Sequence, residues 1–422
     1  MKKTALILIC LFIIFSKNIL ASGFQINEHG SKAMAMGGAF SGLANDPSAL
    51  YFNPAGITQL YGTHFLVGST LIFPSMSFRG PAPSINESTT ESRVFFPFHL
   101  YASHQVNKEL FLGFGLGNNY GLGTKWDEDW VGRFLAVQTE IRTFFFNLAA
   151  SYQIIPEISV GFGYAFAYGD VLLGRRVNLS PFNNEAYLEL EGDGIGSGIT
   201  AGVLFHVTRA ISVGLSYRSQ VTIEFEGDAT PSKYPTQFEG RLPNGNISAP
   251  LTTPENITVG IALKPTKKLN ITADFQFVGW DSYDKLEVTF NEFKVPGTEQ
   301  NYISTSKRDY DNSYIARLGA EYKYSRSLDL YCGLLYDKNP VSDQKLDPTL
   351  PDSDRLGLSL GFGYKLTPSL TLQAGYLFLR FDERKISDSK ENYGGTPNNI
   401  AYLNGVYNSS AHLTSLTLSY NF

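Results

Sequence analysis

The stretch Ile158-Ser159-Val160-Gly161-Phe162-Gly163-Tyr164-Ala165-Phe166-Ala167-Tyr168 decides the fold. Its even positions are all large and apolar, and its odd positions are Ser, Gly or Ala. Successive side chains of a strand point to opposite faces, so this segment carries one greasy face and one nearly bare face. A single strand of this kind fits a soluble sandwich as well as a membrane wall; repetition separates the two. The same division returns at Ile211/Val213/Leu215/Tyr217 against Ser212/Gly214/Ser216/Arg218, and at Ile257/Val259/Ile261/Leu263 against Thr258/Gly260/Ala262. It returns again at Leu269/Ile271/Ala273/Phe275/Phe277 against Asn270/Thr272/Asp274/Gln276, and at Leu356/Leu358/Leu360/Phe362/Tyr364 against Gly357/Ser359/Gly361/Gly363. Asp274, Arg317, Glu321 and Lys323 all fall on the polar face. Lipid requires this, because an outward Lys or Arg near the bilayer midplane costs about 2–4 kcal/mol.

Short polar breaks punctuate the pattern at Asn107-Lys108, Ile155-Pro156-Glu157, Thr208-Arg209, Lys264-Pro265-Thr266, Ser325-Arg326-Ser327 and Thr367-Pro368. Their spacing of roughly fifty residues is one hairpin with a long loop at its far end. These six turns imply about fourteen strands. The opposite connections are long and polar: 79–92, 118–136, 174–185, 226–252, 281–309, 338–353 and 383–410. The chain closes on Thr414–Phe422, an alternating strand with a terminal aromatic, similar to the assembly signal of bacterial outer-membrane proteins. The expected fold is all-β: a transmembrane antiparallel β-barrel of about fourteen strands.

Residues 1–21 have the form of a secretory leader, with Lys2 and Lys3, an apolar core and Ile19-Leu20-Ala21 before a cut. Cys10 leaves with it, so Cys332 stands alone and no intramolecular disulfide forms. Charged residues make up only 17% and aromatics 14%, and the net charge of −5 points to no nucleic-acid partner. No later run reaches the ~20 apolar residues of a spanning helix. Between leader and barrel, residues 22–60 do not alternate. They are rich in small residues and read as a compact plug, with residues 61–422 as its wall. Within the plug, Asp46-Pro47 reads as an N-cap with proline at the first helical position, and the short helix stops at Asn53-Pro54.

No metal-ligand spacing, dinucleotide glycine pattern or other cofactor motif is present. Gly-x-Gly recurs, but inside strands. His29 lies in the plug, His64, His99 and His206 on strands, and His104 and His412 near strand ends, with no His/Ser/Asp constellation. A lipid hydrolase is therefore disfavoured, as is any enzyme. A water-filled porin and a surface adhesin compete as readings; the porin has no need of the plug.

The plug, the strand count and a set of short motifs together resemble the FadL family of outer-membrane transporters for long-chain fatty acids and other hydrophobic compounds. The motifs are Gly23-Phe24-Gln25-Ile26-Asn27-Glu28, Asn53-Pro54-Ala55, Asn119-Tyr120-Gly121-Leu122, Tyr217-Arg218-Ser219 and Pro351-Asp352-Ser353-Asp354-Arg355. The resemblance implies a hatch containing Asn53, Pro54 and Ala55, an apolar pocket that Phe24 enters, and a kinked third strand that opens the wall sideways. Gly113, Gly115 and Gly117 on one face of Leu110–Asn119 make that kink physically easy, or thin the strand to fit the hatch. Arg175 matches the basic residue that meets the ligand carboxylate, with Arg176 beside it. The place of a second basic partner holds Asp311, with Lys307 and Arg308 just before. Trp126, Trp130 and Phe134, spaced four apart, are expected on one side of a short helix, as a greasy groove at the outer mouth or as an interfacial anchor. The expected partners are a hydrophobic small molecule and the surrounding outer-membrane lipid, with the protein acting as a monomer.

Overall fold

The computed structural model describes residues 23–182, 184–394 and 401–422; the leader lies outside the described residues. Fourteen antiparallel staves close on themselves. They are β1 Thr63–Arg79, β2 Phe98–Gln105, β3 Leu110–Gly117 continued as Gly121–Lys125, β4 Gln138–Ile155, β5 Ile158–Asn178 and β6 Glu185–Thr208. Next come β7 Ile211–Arg218 with Val221–Ser232, β8 Gly245–Thr253 with Glu255–Thr266, β9 Leu269–Gly279 with Lys285–Lys294, and β10 Asn301–Lys307 with Ser313–Lys323. The last are β11 Leu328–Asp337, β12 Arg355–Lys365, β13 Leu370–Phe381 and β14 Gly405–Asn421. The ladder from His64↔Asn421 to Arg79↔Val406 joins β1 to β14 and leaves no free edge at the seam.

The alternation sorts as lipid requires. On β5, Phe162 and Tyr164 are 56% and 52% exposed on the outside, while Ala165 and Ala167 are buried on the inside. Much of what reads as long loop is strand. β5 continues to Asn178 and β6 begins at Glu185, so this hairpin rises past its apolar belt as a paired sheet. β8 likewise runs on to Thr266, which moves its turn beyond the expected Lys264-Pro265-Thr266 break.

Residues 23–60 fill the lumen and touch every stave. Ser31 bonds Ser415 (2.8 Å) and Thr417 (2.7 Å) on β14, and Phe40 and Ser41 donate backbone N–H groups to Asp274 on β9 (2.9 and 2.8 Å). Thr58 bonds Ser159 on β5 (2.8 Å), and Lys32 pairs with Glu321 on β10 (2.7 Å). The bare faces of the strands turn out to be the seat of this backbone. A Cβ on Gly161 would stand 2.6 Å from the amide nitrogen of Ala55, one on Gly260 2.7 Å from that of Gly42, and one on Gly319 2.5 Å from the Met36 carbonyl. Gly214 and Gly333 are approached by plug backbone more closely still, and Gly202 by the Asn53 side chain. Two short α-helices form in the described plug, α1 Ser31–Ala35 and α2 Ala49–Phe52, followed by a 3-10 helix over Pro54–Gln59. Asp46 does not cap α2 directly: its carboxylate accepts the Ser48 amide (2.9 Å) and hydroxyl (2.6 Å), and Ser48 is the N-cap. Asn53 then stops α2, accepting from Ala55 (3.2 Å) while donating to the Ser41 and Val203 carbonyls.

Gly333→Leu, which pushes a side chain into the backbone of Gly37, should cost at least about 1–3 kcal/mol. It should also give the barrel a measurable ion conductance in planar bilayers. Leu360→Ala on the outer face should leave conductance at the wild-type level, and a silent Gly333→Leu barrel would contradict this seating.

Candidate functional site

The third stave is broken. β3 pairs with β4 from Leu110↔Tyr152 to Gly117↔Phe145 and resumes at Gly121↔Arg142, so its strand carries one more residue than its partner across the break. Such a bulge bends a strand. On its other side, β2 pairs with β3 only as far as His99↔Gly117. Beyond it residues 95–97 follow β1, through the Ile72↔Phe95 bridge and the bond from Thr70 N to Pro97 O (2.9 Å), while Gly121–Lys125 stays with β4. The described residues show no ladder between the two paths below the single bond from Glu91 N to Lys125 O (2.8 Å).

The chain start is bound to this break. Ile26 donates to the Asn119 carbonyl (2.9 Å) and Gly121 donates to that of Phe24 (3.0 Å), making an isolated bridge between Gln25 and Tyr120. The expected kink is thus present. It falls at Asn118–Tyr120, just past the three glycines, which pair regularly with β4 and are thin where the plug fits: a Cβ on Gly113 would meet Leu50 and Ile57 of the plug, and one on Gly117 would lie 3.0 Å from the His29 ring.

Two cavities meet at Phe24. The larger, about 560 Å³, is lined by the plug (Phe24, Ile26, Glu28, Met34), by Phe95, Phe96 and Phe98, and by Leu377, Leu379 and Leu413. Its lining includes both the inward Ile141 and the outward Glu140, Arg142 and Phe144 of β4, so it passes through the wall at the break. The smaller, about 170 Å³, lies on the loop side of Phe24 among Leu173, Leu188, Phe225, Leu251 and Val288. Phe24, Leu122, Ile141 and Leu350 line both and form the partition. The Phe24 ring is held edge-on by Trp280 (4.8 Å), Tyr283 (5.8 Å) and Tyr120 (6.0 Å).

Arg175 lines the smaller cavity and has no acidic partner among the described residues. Arg176 is turned away to Glu128 (3.0 Å). Of Lys307 and Arg308, the two basic residues near the place held by Asp311, Arg308 lines the cavity, ion-paired with Asp347. Trp126, Trp130 and Phe134 need correction: residues 126–134 form turns, not a helix. The two indoles stack on each other at 4.4 Å and are buried with Phe24, Phe78 and Tyr407, while Phe134 is separated from them and lies under Arg133 (4.6 Å). Their N–H groups bond the Pro348 (3.0 Å) and Ala136 (2.8 Å) carbonyls, which folds the loop inward as a cover instead of an open groove. At the loop tips the exposed Phe182 packs edge-on against the half-buried Phe238, 5.4 Å away across two hairpins, a pairing with no periodic signal.

Two motif residues hold the plug from the wall. Arg218 donates to the Tyr51 carbonyl (2.9 Å) and lies over its ring at 4.0 Å. Arg355 donates to the Gly23 carbonyl (2.6 Å) and pairs with Asp352 (2.9 Å). Burial pushes the Asp352 carboxyl up to about 6, against the pull of the Arg355 guanidinium.

This geometry is that of a plugged outer-membrane barrel with an internal apolar site. The chain matches, over residues 12–422, the family described as outer membrane protein transport protein (OMPP1/FadL/TodX), and it belongs to that family. It is 26% identical to a 47 kDa outer membrane protein of Pasteurella multocida, covering 95% of this chain and 94% of that one. It is 25% identical to a long-chain fatty acid transport protein of Escherichia coli, covering 89% and 91%. The fold is also that of a FadL homologue of Pseudomonas aeruginosa, with a TM-score of 0.84, 20% identity, and coverage of 95% of this chain and all of the other. The protein is an outer-membrane transporter of hydrophobic compounds.

Because the folded Asp352 binds its proton more tightly than the ordinary value of 3.8 allows, its own contribution to stability should be greatest at acid pH. It should decline as pH rises from about 4 to about 6. Thermal midpoints in detergent should show this decline for the wild type and not for Asp352→Asn; equal slopes in the two would contradict the assignment.

Proposed function

We propose that the chain takes up long-chain fatty acids or closely similar anionic amphiphiles by passive, ligand-gated diffusion. The ligand enters the smaller cavity from the loop side, passes Phe24 when the hatch tip shifts, and leaves through the wall beside β3. The single observation that carries this reading is the partition: the Phe24 ring, with Leu122, Ile141 and Leu350, stands between a loop-side cavity holding Arg175 and one that reaches the outward residues of β4. The fatty-acid relative in Escherichia coli points to the same class of cargo.

The chemistry is consistent at each station. Phe182 and Phe238 offer a first apolar contact outside. Inside, burying each CH₂ contributes about 0.8 kcal/mol, so a dozen give ~10 kcal/mol before ordering costs. Arg175, which has no acidic partner among the described residues, supplies the cation that a carboxylate needs in an apolar surround. Conduction also requires release, and a partition held by ring contacts, two backbone bonds and the Arg355 guanidinium is weak enough to move. In this reading residues 23–60 are the hatch, residues 61–422 the channel wall, and a single copy embedded in lipid is sufficient.

Arg175→Gln should weaken oleate binding to the purified protein at least about tenfold, the worth of one charge-assisted bond, and leave hexadecane binding unchanged. Equal oleate affinity in both proteins would overturn the role of Arg175. Phe24→Ala, which joins the cavities, should speed hydrocarbon uptake by cells while weakening its binding; slower uptake would contradict the partition.

A further inference from the structure

The cavity beside Arg175 contains a second guanidinium, and the chain itself neutralises it. Arg308 lies between the two segments of β10 and Asp347 in the connection from β11 to β12; both line the cavity and form an ion pair, 7% and 8% exposed. Asp347 is held from its own side, accepting the Thr349 amide (2.8 Å) and hydroxyl. Arg308 is not saturated by it, since its Nε is buried and has no hydrogen-bond partner among the described residues. A carboxylate on a guanidinium, at the head end of an apolar cavity, is the arrangement that a bound fatty acid would itself create.

We propose that Asp347 is an internal stand-in for the ligand head group: it occupies Arg308 when no ligand is bound, and the carboxylate of an anionic amphiphile displaces it. The inference rests on the reading of Arg175 as the head-group site and deepens it by naming what the site discriminates. With Arg175 beside it, the incoming carboxylate and the displaced Asp347 together face two guanidinium groups, so the charges in the cavity are matched, whereas an uncharged hydrocarbon has nothing with which to displace Asp347.

The displaced residue sits in a loop that reaches every moving part. Its next residue, Pro348, accepts the Trp126 indole N–H (3.0 Å), and the Thr349 carbonyl accepts from Thr124 (3.2 Å) on the continued part of β3. Leu350 shares the partition with Phe24, and Asp352 pairs with the Arg355 that grips Gly23. Releasing Asp347 therefore loosens the cover, the edge of the broken stave and the grip on the chain start together. A head group that must compete for Arg308 is also held weakly enough to depart.

The test uses the full-length protein, with oleate and hexadecane as probes. Asp347→Asn, which frees Arg308, should bind oleate about tenfold more tightly. It should also deliver oleate to cells several-fold more slowly, while hexadecane is unaffected in both assays. The double variant Arg308→Gln/Asp347→Asn should lose the gain. Wild-type oleate affinity in Asp347→Asn, with Arg175→Gln still weakened, overturns this inference and spares the head-group reading. A gain shared by hexadecane also overturns it, because the effect would not be one of charge. Failure of wild type and Asp347→Asn alike to bind oleate overturns both readings.

Discussion

Everything in this molecule depends on how closely the plug backbone approaches the barrel wall. A lumen this size is closed without a helical domain because the plug lies directly on strand backbone, in places where no Cβ projects. Gly161, Gly202, Gly214, Gly260, Gly319 and Gly333 supply those places around the cylinder. Contact at that distance leaves no room for water and lets main-chain groups bond directly to wall side chains, as Phe40 and Ser41 do to Asp274. The inward charges then have partners within the plug or wall: Glu321 with Lys32, Arg317 with Gln276 (2.6 Å), Arg218 with Tyr51.

Against that rigid seat, the chain start is held differently. From Gly23 to Ile26 it is fixed by two backbone bonds to the broken stave, one guanidinium and ring contacts. The same few residues partition the cavities and pair with the interrupted edge of β3. A barrel cannot leave a strand edge unpaired in lipid without cost, and here the chain's own beginning takes part of that edge. In the proposed uptake, moving it joins the cavities and frees the edge at once, because the same residues serve wall and partition.

The barrel was legible because lipid imposes a strict period of two on every stave, and the inward charges follow the same parity. The break in β3 was legible from its glycines only as a possibility, since thinning for the plug gives the same letters; the structure shows both. Above the membrane the outer face meets water, the period loses its meaning, and β5, β6 and β8 therefore read as loop where they are sheet. Trp126 and Trp130 misled through their spacing, because stacking and carbonyl acceptors, not a helix, bring them together. Arg175 was legible through its place beyond Tyr168, but its lack of an acid among the described residues and the capture of Arg308 by Asp347 are tertiary facts. No local pattern carries them.

The central claim is that an anionic amphiphile binds behind the Phe24 ring and leaves sideways. The most direct measurement is anomalous diffraction from crystals grown with a fatty acid brominated at its methyl end. The account predicts a carboxylate at Arg175, the ring of Phe24 displaced, and bromine signal in the cavity that traverses the wall. Bromine confined to the outer surface of the barrel, or found beneath the plug among the short turns, would contradict it.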